Sequence, residues 1–316
     1  NEITNNEMVI SATCQRLNAS GTVEGTCESI SQAAISDMTI AKRVSIESGI
    51  THKYTFTILF KETNIDQNTN QGKKFNGVLG IEEYKAPDFA TDSWEAIIAK
   101  VKSGNINAYN VGDIKNVDLG TYGIHTLRIA NTSTPSECSG TGLSQSACGF
   151  VLEFADIITT HTMNDTDTNV GGWPATSMRT FVNNDIYNAI PDEIKKVIID
   201  TTTMSGHGST TKETNFISTD KLYFLSGKEI YSDFNSEYDT AKTLTRQLDY
   251  YANNGITTSN SAGTIKKYQT TAKCWWLRTA SSTTNFSFHV MLNIGGWNYA
   301  ASGDNNCGVS PAFRIG

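Results

Sequence analysis

The chain of 316 residues lacks the features that mark several large classes of protein. It has no dense cluster of Lys and Arg, and its formal net charge is −7, which argues against nucleic acid and anionic membrane surfaces as partners. No stretch approaches the roughly 20 apolar residues of a membrane-spanning helix. The first ten residues lack the charged and then apolar layout of a signal peptide, so we expect a mature exported domain.

The chain also lacks the common motifs of catalytic and metal sites. Its five histidines are dispersed, and neither H-E-x-x-H nor G-x-S-x-G occurs. Asp165, Asp167 and Asn169 alternate like ligands of a calcium loop, but Val170 replaces the required Gly and Thr176 the required Glu. We therefore predict a polar turn there, with no metal, no cofactor and no catalytic residue.

The six cysteines show neither the Cys-x-x-Cys spacing nor the neighbouring histidines of a zinc site. Four of them form two sequence-local pairs that we predict to be disulfides of an exported protein, Cys14 with Cys27 and Cys138 with Cys148. Cys274 and Cys307 are a doubtful pair. If residues 276–279 pair antiparallel with residues 312–315, these two cysteines point to opposite ends of that ribbon.

The length of the chain predicts two domains, because it exceeds what one hydrophobic core usually spans. Residues 1–87 favour a small all-β sandwich of the Ig-like or jelly-roll kind. Residues 54–60 alternate in polarity, residues 8–13 and 78–81 offer partner strands, and the polar residues 61–74 form a long loop. Ala86-Pro87 is the predicted linker.

Residues 88–316 predict an α+β domain. A helix is expected after Asp92, with Asp92 as its N-cap and Glu95 completing a capping box. Further helices are expected over residues 177–189, from Pro191 onward, and over about residues 240–253. Arg278 and Arg314 stand alone in apolar strands, and each should pair with buried carbonyls or carboxylates.

The C-terminal segment has the composition of a binding surface. Residues 274–316 hold seven aromatic side chains and only three charged ones, Arg278, Asp304 and Arg314, among many Asn, Ser, Thr and Gly. Rigid rings supply contact area and small polar residues supply adaptable hydrogen bonds. An ordinary β-meander whose rings pack inward is the alternative.

Five motifs in order carry a family resemblance: VGGWPATSMRT at 170–180, STDKLY at 218–223, TRQLDYY at 245–251, WWLR at 275–278 and GVSPAFRI at 308–315. Residues 92–316 resemble a family of exported domains from gut bacteria. That family is similar to the formylglycine-generating-enzyme type of C-type lectin fold and includes variable proteins of diversity-generating retroelements. The N-terminal part more weakly resembles the β-sandwich of camelysin and TasA-like surface proteins, through residues 54–61 and the loop at 66–72.

The resemblance implies that mutagenesis of asparagine codons varies the ligand-facing positions of the C-terminal segment, while interleaved residues stay fixed for folding. Positions that match the fixed pattern are Phe288, Gly295, Trp297, Ala301 and Gly308. The implied ligand-binding positions are Asn285, Ser287, His289, Val290, Leu292, Asn293, Ile294, Gly296, Asn298, Tyr299, Ala300, Ser302, Asp304, Asn305, Asn306 and Cys307. Cysteine is reachable from an asparagine codon, so Cys307 is expected to be a sampled free thiol.

These observations together predict a non-enzymatic bacterial protein that is secreted or displayed at the cell surface. Its C-terminal face, about residues 281–307, would bind a protein or glycan on a cell or phage surface. The N-terminal domain would act as a stalk, fibre subunit or surface anchor, with no insertion into the membrane. The alternatives are a purely structural fibre or adhesin module and, less favoured, an enzyme similar to the formylglycine-generating type.

Overall fold

The computed structural model describes residues 2–3, 6–36, 38–42, 44–81, 85–210, 214–235, 238–303 and 306–316. The chain divides into two compact units, Asn1–Ala86 and Pro87–Gly316. This division lies one residue before the boundary predicted from the sequence. Among the described residues, none of the helices has both the length and the apolar character needed to cross a membrane.

The N-terminal unit is built on one antiparallel sheet. Its strands are β1 (Met8–Leu17), β2 (Val23–Thr26), β3 (Ile30–Ala34) and β4 (Thr51–Phe60). β1 pairs with β4 along its whole length and with β2 and β3 along its other edge. A 3₁₀ turn, Asn68–Asn70, lies in the polar loop.

The predicted two-layer sandwich is wrong for the part of this unit that the structure describes. Residues 78–81 form no strand, and Val78 is 99% exposed. No second sheet covers the end of β4 in the described part of this unit. Ile58, Leu59 and Phe60 are therefore exposed, on both faces of the strand. Alternation in a sequence shows that a strand has two unlike faces, but it does not supply the layer that would bury one of them.

The second unit has a β-rich α+β fold with two five-stranded sheets. The first has the order β5-β6-β7-β18-β9 and the second the order β16-β15-β14-β17-β8. β10 with β11 and β12 with β13 form separate hairpins. The strands are β5 (Ile114–Asp118), β6 (Ile124–Asn131), β7 (Val151–Phe154), β8 (Thr159–His161), β9 (Ile198–Ile199), β10 (Thr201–Ser205), β11 (Phe216–Asp220), β12 (Lys266–Tyr268), β13 (Thr271–Lys273), β14 (Trp275–Ala280), β15 (Ser287–Met291), β16 (Trp297–Ala301), β17 (Cys307–Val309) and β18 (Ala312–Ile315).

The helices of this unit are short. The α-helices are α1 (Trp94–Lys102), α2 (Ser177–Phe181), α3 (Tyr187–Ala189), α4 (Asp192–Lys195), α5 (Gly227–Ile230) and α6 (Asp249–Asn253), and a π-helix, Val182–Ile186, joins α2 to α3. The 3₁₀ helices are Ile106–Ala108, Gly120–Tyr122, Ser136–Ser139, Gln145–Ala147, Trp173–Ala175, Lys242–Leu244 and Ala262–Thr264. Two clusters of buried apolar side chains hold these elements together.

Two details of the predicted helix starts differ in the structure. Ser93, not Asp92, caps α1 by accepting a hydrogen bond from the backbone N of Ala96. The carboxylate of Asp92 instead accepts a hydrogen bond from the Tyr109 hydroxyl at 2.7 Å. Pro191 lies at the N-cap of α4 rather than at its first helical position.

The long helix predicted over residues 240–253 is wrong except for its last turn. Between Lys242–Leu244 and α6 the backbone is extended, because its side chains satisfy distant buried carbonyls. Arg246 donates from Nη1 to the carbonyl of Ala147 at 2.9 Å. Gln247 donates from Nε2 to the carbonyls of Ile230 and Ile256 at 2.8 and 2.9 Å.

The structure confirms the predicted pairing with buried carbonyls or carboxylates for Arg278 but not for Arg314. The Arg278 guanidinium is 1% exposed, pairs with Glu229 and also donates to the carbonyls of Met204 and Phe224. This buried ion pair holds the pKa of Arg278 above its ordinary value, against the opposing effect of its desolvation. Nε of Arg314 is buried and has no hydrogen-bond partner within the described ranges.

Three disulfides are present, Cys14–Cys27, Cys138–Cys148 and Cys274–Cys307. The expectation of a free Cys307 is therefore wrong. The doubt about this pair rested on antiparallel pairing of residues 276–279 with residues 312–315. In the structure, β18 pairs instead with β7 and β9. β14 lies parallel to β17, with Trp275 opposite Gly308. That register brings the Cα atoms of Cys274 and Cys307 to 5.1 Å.

Candidate functional site

The C-terminal segment that the sequence predicts to bind ligands forms a hairpin, β15 and β16, at one edge of the second sheet. The pairing places His289 opposite Tyr299 and Met291 opposite Trp297. Because cross-strand partners point to the same side of a sheet, these four side chains share one face. The other face of β15 carries Phe288 and Val290 into the first core cluster.

Several implied ligand-binding positions do reach solvent. Ile294 at the tip of the hairpin is 77% exposed and Tyr299 in β16 is 46% exposed. The exposed positions are Asn285, Asn293, Ile294, Asn298, Tyr299 and Asn306, and Leu292, Gly296 and Ala300 are half-buried. Phe286, which is outside the predicted set, adds an exposed ring to the same segment.

The expectation that the whole set is exposed is wrong for Ser287, His289, Val290, Ser302 and Cys307, which are buried. For three of the five the structure shows the cause. Val290 faces the core, Cys307 is in a disulfide, and the Ser302 hydroxyl donates to the carbonyl of Thr168 at 2.8 Å. Asp304 and Asn305 lie outside the described residues.

His289 is enclosed by aromatic rings. It stacks on Trp297 with a centroid distance of 5.0 Å, and Phe234 meets it edge-on at 6.0 Å. Neither ring nitrogen of His289 has a hydrogen-bond partner within the described chain. Burial without a partner disfavours the imidazolium form and lowers the pKa of His289 to about 4.

The glycines among the fixed positions have steric reasons for being glycine. Gly295 has a φ of +81°, and a Cβ there would lie 2.7 Å from the carbonyl oxygen of Ser261. At Gly308 a Cβ would lie 2.6 Å from the side chain of Ile157. Phe288 is fully buried, and Trp297 and Ala301 are half-buried. The backbone or the core therefore constrains Phe288, Gly295 and Gly308 among these positions.

Asn169, which the sequence analysis placed in a polar turn, makes several hydrogen bonds to the C-terminal segment. Its side-chain Nδ2 lies 2.8, 2.8 and 3.0 Å from the carbonyl oxygens of Ser281, Thr284 and Ser287. Its backbone N also donates to the carbonyl of Asn285 at 2.8 Å. The two N–H groups of this amide are thus shared among three carbonyls, and Asn169 holds the start of the C-terminal segment in place.

An open pocket of about 440 Å³ lies in the loop that covers His289. Phe234 lines this pocket and also meets Trp297 edge-on at 5.3 Å. The other lining residues are polar: Lys228, Ser232, Asp233, Asn235, Lys242, Thr243 and Thr245. Tyr238 in the same loop meets Tyr299 at 6.5 Å. Sequence reasoning missed this loop because its contacts with the hairpin are remote in the chain.

Comparison with known proteins gives one match. A family model described as a domain of unknown function (DUF6273) matches residues 150–316, which is just over half of the chain and includes the whole hairpin. No curated protein and no solved structure matches the chain.

Proposed function

We propose that this chain, which belongs to the DUF6273 family, is a secreted or surface-displayed protein that binds ligands through the β15–β16 hairpin. The second unit would be a C-type lectin-like domain of the formylglycine-generating-enzyme type. A diversity-generating retroelement would vary the hairpin positions between Asn285 and Asn306. The protein would itself catalyse no reaction.

The observation that carries this proposal is the contrast between constrained and unconstrained positions within one short hairpin. Gly295, between β15 and β16, has no room for a side chain. In β15, His289 is buried with both ring nitrogens unpaired, and the hydroxyl of Ser287 on the same face is also unpaired within the described residues. An unpaired buried polar group costs about 1–3 kcal/mol. Selection for stability alone would remove such residues, whereas repeated variation of these positions would supply them.

The exposed side chains favour a protein or glycan as ligand. Ile294 and Tyr299 offer apolar area, and the surrounding exposed positions are asparagines, which both donate and accept hydrogen bonds. Aromatic anchors among small polar residues are typical of recognition surfaces that adapt to many partners. Among the described positions of the implied set, no exposed side chain is charged.

Three disulfides are consistent with a protein outside the cytoplasm. The Cys274–Cys307 bond and the parallel contact of β14 with β17 hold both ends of the variable segment on one sheet. A scaffold of this kind would keep the hairpin in place while its exposed residues change. The N-terminal unit would serve as the stalk or anchor.

The proposal can be tested with two matched display libraries. One library randomises Asn293, Ile294, Asn298 and Tyr299, and the other randomises Phe288, Gly295, Trp297 and Gly308. We expect the first library to yield mostly folded protein and new binders, and the second to yield mostly unfolded protein. Equal loss of folding in both libraries would reject the binding hairpin.

The source genome supplies a second test that needs no ligand. We expect a near-copy of the codons for residues 281–307, rich in AAC and AAT, beside a gene for a reverse transcriptase. Failure to find this repeat would reject diversification and leave a binding module of constant sequence.

A fibre or adhesin module is the second candidate function. It is favoured by the N-terminal unit, where Ile58, Leu59 and Phe60 lie exposed at the end of β4. Exposed apolar strands tend to pair with other chains. Replacing Ile58 and Phe60 by Lys should abolish any concentration-dependent assembly seen by light scattering and leave the hairpin's ligand binding unchanged.

A further inference from the structure

A Cys-Cys-His cluster lies in the N-terminal unit, far in sequence from the proposed binding hairpin. Cys14 is in β1, Cys27 follows the end of β2, and His52 is in β4. The register pairs Cys14 with Tyr54, so His52, two residues from Tyr54, points to the same side of the sheet as Cys14. The backbone N of Cys27 donates to the carbonyl of Cys14 at 3.3 Å, which places the second sulfur beside the first.

The donor atoms of this cluster are close enough to share one ion. Both sulfurs and a ring nitrogen of His52 lie within 4.8 Å of one another. Zinc bound at about 2.3 Å from sulfur and about 2.0 Å from nitrogen in tetrahedral geometry separates its ligand atoms by roughly 3.5–4 Å. Reduction of the disulfide, followed by side-chain rotations that separate the two sulfurs from bonding distance to this spacing, would therefore convert the present arrangement into a coordination site.

The imidazole of His52 is also uncommitted. Its Nδ1 is buried and has no hydrogen-bond partner in the part of the chain that the structure describes. A buried polar atom without a partner costs free energy, and a metal ion is one group that could satisfy it. Among the described residues, neither of the other two disulfides has a histidine nitrogen within 4.8 Å of both its sulfurs.

We propose that the reduced form of this cluster binds one Zn²⁺ through Cys14, Cys27 and His52, with water in the fourth position. The disulfide and two molecules of a thiol reductant exchange to give two protein thiols and one molecule of the oxidised reductant. Binding of Zn²⁺ then releases both thiol protons. The two thiolates balance the charge of the ion, and the neutral imidazole donates its lone pair.

The consequence is a cross-link that survives a change of redox environment. In the oxidised chain a covalent bond joins β1 to the end of β2. In the reduced chain the zinc ion would join the same two segments and add β4 through His52. The N-terminal sheet would then keep its strands together under both conditions.

The test uses the full chain, reduced with excess thiol, freed of reductant without oxygen, and titrated with Co²⁺ as a spectroscopic substitute for Zn²⁺. We expect one equivalent to bind, with thiolate-to-cobalt charge-transfer absorption and the visible bands of a tetrahedral ion, both removed by Zn²⁺. The variant His52→Ala should bind at least tenfold more weakly and show shifted visible bands. The double variant Cys14→Ser/Cys27→Ser should show no charge-transfer absorption.

Two controls isolate the cluster from the other thiols and from unfolding. Cys138→Ser/Cys148→Ser should bind Co²⁺ as the unchanged sequence does, and the oxidised chain should give no charge-transfer absorption. Circular dichroism of the reduced chain, with and without Zn²⁺, reports whether the strands persist. Full affinity in His52→Ala, retained binding in Cys14→Ser/Cys27→Ser, or a reduced chain that binds no metal would each overturn the proposal.

Discussion

His289 makes the stability of the second unit depend on pH. Its pKa is lowered to about 4 in the folded protein, against about 6.5 in an unfolded chain. The unfolded state therefore takes up a proton first, so the stabilisation is complete above pH 6.5 and is lost as the pH falls toward 4. The loss should be on the order of 3 kcal/mol. Urea unfolding at a series of pH values between 4 and 7 measures it.

The matched variant for this prediction is His289→Leu, which removes the titrating ring and keeps a similar volume. Carboxylates elsewhere contribute equally to the pH dependence of stability in both proteins. The difference between the two pH profiles is therefore due to His289. We expect the free energy of unfolding of His289→Leu to fall less between pH 7 and pH 4. Parallel profiles would show that His289 is solvated or paired.

Gly295 and Gly296 form a matched pair of residues with nearly the same backbone, at φ of +81° and +79°. Alanine in this left-handed region costs about 1–2 kcal/mol at either position. At Gly295 the new Cβ would also lie 2.7 Å from the Ser261 carbonyl oxygen, whereas at Gly296 the nearest atom is 4.0 Å away. Gly295→Ala should therefore lower the free energy of unfolding by a further 1–3 kcal/mol, roughly the cost of overpacking.

At the scale of elements, the hairpin should tolerate change on its exposed positions and not on its core side. Replacing Asn293, Ile294, Asn298 and Tyr299 together by Ser should change stability by no more than about 0.5 kcal/mol per position. Phe288→Ala, at a fully buried ring, should cost about 3–5 kcal/mol. Thermal melting of the two variants compares them, and comparable losses would mean that the hairpin surface is part of the core.

Elements that depend on local pattern were predictable from the sequence. The alternation at residues 54–60 falls within β4, and the apolar spacing after Asp92 marks α1. The helix over residues 240–253 was not predictable, because Arg246 and Gln247 are held in extended backbone by carbonyls up to about 100 positions away. A helical pattern records only local preference, and buried hydrogen bonds outweigh it.

The same limit applies to the candidate site. Its place in the chain followed from composition and family resemblance, and the interleaved fixed glycines have clear steric causes. The burial of His289 did not follow, since it depends on Phe234, in a loop more than 50 positions earlier. The Cys274–Cys307 bond depends on which strand lies beside β14, a non-local fact that spacing does not contain.

At the scale of the whole molecule, the two compact units should separate on mild cleavage. The division at Ala86 and Pro87 falls in chain without helix or strand, and exposed segments of this kind are the preferred sites of proteases. Limited proteolysis followed by mass spectrometry should yield a stable fragment that begins near residue 87 and ends at Gly316. Progressive degradation with no persistent fragment would show that the second unit needs the first.

The Cys274–Cys307 bond also decides how the second unit would carry mechanical load. The two cysteines are 33 positions apart, so tension along the backbone passes through the sulfur atoms and bypasses the hairpin between them. When the chain is pulled from both ends, its maximum extension is roughly 110 Å shorter with this disulfide than without it, at about 3.4 Å for each bypassed residue. A chain stretched from its two ends would thus carry the load outside residues 274–307, and the hairpin would keep its shape.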